Sequence, residues 1–223
     1  MYKRQDLSPF KSLSNLQGIW ILDNQVVDLT PIAHFVDLEV LILEKNPVKD
    51  IKPIVNLKKL VQLNLMETKV KDFSPLSGLR NIGVLVLRNN NISNINFLKG
   101  MHSIEWLDVR DNRLNDVTFL KDLPRLKKLF ISNNQIRSIL PLSELNDLKW
   151  VTMENNKIDN LWPIYDSESL TDIMLYGNDL DNNKDLSKIN ESIIEKFMSD
   201  GINITLNTVE VNSIYQLEPS KMN

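Results

Sequence analysis

The chain has no cysteine, which excludes disulfides and thiolate metal sites and leaves packing alone to hold the fold. It also has no run of 18 apolar residues able to cross a bilayer, and no apolar signal segment follows Met1. Charge of one sign is lacking too. The 29 acidic and 26 basic residues are scattered along the chain and sum to -3, so no basic face exists to neutralise a row of phosphates. DNA and RNA are not expected as partners. Histidine is scarce: His34 and His102 fall on loops three repeat units apart, with no GxSxG or phosphate-loop pattern to join them. An enzyme is not expected, nor is a cofactor. Asp and Asn are plentiful in turns, but no DxDxDG spacing marks a calcium loop.

What the chain has in abundance is one pattern repeated every 22 residues. Asparagine recurs as Asn24, Asn46, Asn90, Asn112, Asn134, Asn156 and Asn178, with Thr68 in the one remaining place. Before each ladder position comes an alternating aliphatic pair, from Ile19 and Ile21 through Leu107 and Val109 to Ile173 and Leu175. Such alternation marks a short half-buried strand. Further apolar positions complete the unit LxxLxLxxNxIxxIxPLxxL. A single unit cannot bury so many apolar residues alone and must stack against copies of itself. At about 1.5 to 3 kcal/mol per buried aliphatic, one unit gains roughly ten to twenty kcal/mol from its neighbours, much of it offset by chain ordering. The ladder amides are placed to satisfy backbone groups where the strand turns away. The Thr68 hydroxyl should support that turn less well. Proline at 9, 31, 53, 75, 141 and 163, with Phe97 and Phe119 in the two skipped places, argues for 3₁₀ or irregular convex segments and moderate curvature.

These residues resemble leucine-rich repeats of the 22-residue class. The segments DLTPIAHF, DIKPIVNL and DFSPLSGL are most similar to the internalin-type repeats of bacterial surface proteins, over about residues 6–180. Related repeats also occur in cytosolic regulators of protein phosphatase 1. The resemblance implies a curved parallel β-sheet solenoid that recognises another protein on its concave face, without catalysis. It points to a secreted or cell-surface module. The alternative is a cytoplasmic scaffold that docks an enzyme such as a phosphatase catalytic subunit.

The array, a partial repeat plus about eight units, is expected over 6–180. It is entered in mid-unit at Asp6–Leu13, after a non-native or disordered leader at 1–5, and upstream repeats, a cap or a signal peptide would then be missing. An uncapped first unit would expose Leu13, Leu16, Ile19 and Ile21. At the far end Leu186, Ile189, Ile193, Ile194, Phe197 and Met198 follow at helical spacing, with Gly201 placed as terminator and Ile202, Ile204 and Leu206 alternating behind it. A capping helix and strand over 181–212 are expected, followed by a tail at 213–223.

Strand alternation directs three rows of side chains out of the concave face, where they should be exposed. They carry three of the four tryptophans, and aromatic clusters rimmed by charge are the usual composition of binding hot spots. The larger candidate patch joins Trp106, Phe130, Trp150, Met174 and Tyr176 with Asp108, Arg110 and Lys128, and Lys128 falls between two indoles within cation–π reach. The smaller joins Trp20, Leu22, Val40 and Ile42. Val86, Arg88 and Glu154 complete the candidate partner-binding set for a protein ligand, bound by a monomer. Trp162 is read as a local packing residue on the convex side.

Overall fold

The computed structural model describes residues 6–206 apart from 14 and 183. The leader, the tail and the last part of the expected cap lie outside the described residues. Among the described residues nine three-residue strands form one curved parallel sheet in strict sequence order. They are β1 (Gly18–Trp20), β2 (Val40–Ile42), β3 (Gln62–Asn64), β4 (Val84–Val86), β5 (Trp106–Asp108), β6 (Lys128–Phe130), β7 (Trp150–Thr152), β8 (Asp172–Met174) and β9 (Asn203–Thr205). From β1 to β8 the register follows the repeat: Ile19 pairs with Leu41, Leu41 with Leu63, and so on to Val151 with Ile173. A side chain therefore always faces the equivalent residue of the next unit, and the inward aliphatics merge into one continuous core.

The Asn ladder closes the bend after each strand from inside. Asn112 Nδ2 donates to the carbonyls of Leu87, Val109 and Arg110, each at 3.0 Å, while its Oδ1 accepts from Ile92 N–H at 2.9 Å and Asn90 N–H at 3.1 Å. One buried amide thus satisfies five backbone groups of two units. Asn46, Asn134 and Asn156 repeat the arrangement with three carbonyls and one N–H each. At Thr68 the hydroxyl donates instead to Asn90 Oδ1 at 2.8 Å, since a single O–H cannot serve several carbonyls at once. The residue before each ladder position lies in the left-handed region, with φ between 49° and 56° from Asp23 to Asn155 and 71° at Gly177. Asn and Asp tolerate that conformation; Lys45 and Glu67 hold it because the ladder fixes the bend around them.

Among the described residues eight 3₁₀ turns line the other side of the sheet, from Ser8–Ser12 to Trp162–Ile164. Six carry proline near their start, where the missing N–H costs least. Asn96–Leu98 and Thr118–Asp122 form without it. A second polar row explains why. Asp6, Asp28, Asp50, Asp72, Asn94, Asp116 and Asn160 each accept, through Oδ1, the N–H two residues on at 2.7 to 2.9 Å, and Ser138 Oγ does so at 3.4 Å. These Asx turns set up the start of every 3₁₀ segment, with or without proline.

Helix α1 (Lys184–Ser199) lays Ile193 and Phe197 into the core beyond the last unit. Its buried Asn190 takes over the polar role of the ladder: Oδ1 accepts from Leu161 N–H at 3.0 Å, and Nδ2 donates to the carbonyls of Asp159 and Leu180. Gly201, at φ +78°, ends the helix, and β9 then covers the edge of β8. The first unit is less open than expected. Leu13 is exposed and Leu16 half-buried, but Ile19 and Ile21 are buried, because Leu7 and Phe10 of the partial unit pack into the same core.

Candidate functional site

The concave rows differ from expectation in one respect. Most of their side chains are not exposed. Trp20 and Leu22 on the first unit are, at 57% and 41%. Ile42, Val86, Asp108, Phe130, Glu154 and Met174 are buried, Trp106 is only 7% exposed, and Arg88, Arg110, Lys128, Trp150 and Tyr176 are half-buried. The cause is spacing. Side chains on the inner side of a curved parallel sheet stand about 4.8 Å apart and lean together, so short ones sink between long ones and aromatic ones cover each other.

The two candidate patches therefore have different characters. At β1 the Trp20 indole lies back over Gly18, where a Cβ would sit 2.2 Å from the ring; only glycine leaves room for that position. The surface there is apolar and open. Across β5 to β7 the side chains instead form a packed cluster. The Trp106 and Phe130 rings stack with centroids 5.3 Å apart at 25°. Arg110 lies over Phe130 at 5.1 Å and grips Asp108 through Nε at 2.9 Å and Nη2 at 2.5 Å. Lys128 Nζ sits 4.6 Å from the Trp106 ring centre and 5.8 Å from that of Trp150. Because parallel register sets Trp106, Lys128 and Trp150 side by side on three successive strands, the ammonium is held between two ring faces. Such contacts contribute roughly 0.5 to 2 kcal/mol according to their desolvation.

Polar groups next to this cluster are partly orphaned. Among the described residues the indole Nε1 atoms of Trp106 and Trp150 are both buried without a hydrogen-bond partner, a condition that costs about 1 to 3 kcal/mol for a buried donor. Glu154 is by contrast fully buried and provided for: Ser132 Oγ donates to its carboxylate and lies 2.9 Å from Thr152 Oγ1. Burial, aided by the negative charge of Glu154, pushes the Tyr176 phenol above its ordinary pKa. On β4 and its turn, Arg88 pairs with Asp111 at 2.6 Å.

The row positions of Ser132 and Thr152 are plain in the sequence, but nothing there marks them as buried neighbours of a carboxylate. The Asx row could have been found, since its residues recur at the repeat spacing. Trp162 is 59% exposed and stacks on Tyr165 at 4.9 Å. His34 and His102 each contact a backbone carbonyl of an adjoining unit, Lys11 O at 3.2 Å and Asp122 O at 2.9 Å. Among the described residues no group of three His, Cys, Asp or Glu is placed to hold a metal ion, and no helix is long and apolar enough to cross a membrane.

Known proteins share this architecture. Residues 36–81 and 102–146 match the family model described as leucine-rich repeats in two copies. No curated protein matches the chain. Among solved structures, internalin C2 of Listeria monocytogenes is 34% identical over 78% of this chain and 76% of its own, with a TM-score of 0.76. An internalin F from the same organism is 22% identical over 92% of this chain and 72% of its own, with a TM-score of 0.68. A leucine-rich-repeat protein of Leptospira interrogans, 19% identical, covers 92% of this chain and 52% of its own length at a TM-score of 0.80. The latter two show the fold alone. The 22-residue ladder, the open parallel sheet and the identity to internalin C2 lead to one conclusion: the chain belongs to the internalin family of leucine-rich-repeat proteins.

Proposed function

We propose that this chain is a recognition module that binds a protein ligand on the concave face, centred on Trp106, Lys128, Phe130 and Trp150. The observation that carries the reading is, among the described residues, the pair of buried indole N–H groups without acceptors beside a cation that contacts two ring faces. A fold with no other use for such a cluster would fill these positions with aliphatics, as it does at Val84 and Val86 one strand away. Large aromatic side chains with unused hydrogen-bonding capacity are what protein interfaces employ as anchors. The open Trp20 and Leu22 surface adds a second, more apolar contact area on the same sheet. Kinship with internalins supports a secreted or cell-surface module in an adhesion or recognition role; docking of a cytoplasmic enzyme is the competing assignment.

The test is a pull-down from host-cell and bacterial extracts with the wild-type chain and with a Trp106→Ala/Phe130→Ala/Trp150→Ala variant, circular dichroism verifying that both are folded. A partner held by the wild type and lost by the folded variant is the expected result, and its compartment decides between adhesion and enzyme docking. Equal retention by both proteins would overturn the concave assignment.

A further inference from the structure

The concave face carries three cations, Arg88, Arg110 and Lys128, and they are not equivalent. Arg88 is paired with Asp111 and Arg110 with Asp108. Lys128 makes no ion pair among the described residues and contacts two indole faces instead. Of the acids on the adjoining strands, Asp108 is held by Arg110, and Glu154 is engaged by the hydroxyl of Ser132 in a buried cluster. Ring faces attract an ammonium but accept no charge-assisted hydrogen bonds, so three strong donors on Lys128 and one on each neighbouring indole lack an anionic acceptor.

We infer that Lys128, flanked by Trp106 and Trp150, is the seat for a carboxylate: the protein ligand sets an Asp or Glu side chain from a polypeptide segment against the Lys128 ammonium, with the two indoles as its walls. This rests on the concave-face reading and specifies its chemistry. Charge complementarity selects the acid. Aromatic walls exclude water around the ion pair and so strengthen it. The two indole N–H groups, brought into line by the small rotamer changes common at interfaces, supply the directional donors that separate a carboxylate from a mere apolar plug.

A peptide array of 12-residue sequences synthesised in pairs, identical but for one central Glu or Gln, tests this with labelled wild-type chain, Lys128→Met and Lys128→Arg. Methionine keeps the filler between the rings and removes the charge; arginine keeps the charge. Expected is retention of a subset of Glu peptides by the wild type at least about tenfold above their Gln partners, abolition of that difference in Lys128→Met, and its survival in Lys128→Arg. Raising salt should reduce retention of the Glu members alone. The inference is overturned if no Glu peptide is retained above its Gln partner, or if the preference survives unchanged in folded Lys128→Met. A partner lost by the triple alanine variant but held equally by wild type and Lys128→Met removes the acid seat and leaves the concave-face reading standing. Equal binding by the triple variant removes both.

Discussion

The two polar rows that run the length of the solenoid repeat with the same period and tolerate change very differently. The inner row holds Asn at seven of its eight places, with Thr68 the exception. The outer row, from Asp6 to Asn160, accepts Asp, Asn and Ser. From Asn46 onward an inner amide donates and accepts at once to backbone groups of two units. Only a carboxamide of that length does both. An outer residue needs one acceptor for one N–H and stands in water. What is conserved along the array is thus set by how many unsatisfied groups a substitution would strand, more than by position in the unit.

The largest expected effect comes from breaking the inner row. Asn112→Leu fills the space but strands carbonyls and N–H groups in the core, and should lower stability by about 3 kcal/mol or more, read as a shift in the urea midpoint. A loss no larger than that of a surface substitution would remove the distinction between the rows. Repairing the same row comes next: Thr68→Asn restores the missing donors, including one directed at Leu43 O by analogy with its neighbours, and should gain about 1 kcal/mol in the same measurement. In the outer row Ser138→Asp replaces the longest bond of the series, 3.4 Å, with one of ordinary length and should gain about 0.5 kcal/mol, visible as a small rise in melting temperature.

The smallest effect is a difference in pH response. The carboxyls of Asp6, Asp28 and Asp72 are held below the usual carboxylate range, first by the hydroxyls of Ser8, Thr30 and Ser74 and then by the backbone N–H of the same residues. A depressed folded-state pKa means that the unfolded chain binds protons more readily, so the contribution is complete above about pH 4 and lost as pH falls through the folded value. Asp28→Asn/Asp72→Asn should keep both turns, as Asn94 and Asn160 do, and flatten the fall in melting temperature below about pH 4. An unchanged slope would mean that the outer row takes no part in acid sensitivity.

Much of this organisation is legible in the sequence because it is periodic. Strand register follows from the aliphatic pairs, the bends from the Asn ladder, and α1 from the spacing of Ile193 and Phe197. That Trp106, Lys128 and Trp150 are neighbours follows from register alone. Burial on the concave face does not. Whether Val86 or Met174 is covered depends on how the side chains of adjoining units lean under curvature, and no single unit encodes that. The Trp106 and Phe130 stack is diagonal between two rows, so it depends on rotamers and not on spacing. The buried Glu154 carries no signal at all in a pattern whose equivalent positions include Leu22, Met66 and Ser132.

The constant unit also makes the molecule a ruler. Trp20 stands on β1 and Trp106 on β5, four strand steps or about 19 Å apart along the sheet. Because each unit touches only its neighbours, gain or loss of one whole repeat between β2 and β4 would move the apolar patch and the Lys128 cluster apart or together by one step, leaving every contact inside either patch intact. The distance between two anchor points on a ligand can therefore be changed in fixed increments of about 5 Å, with no redesign of either surface.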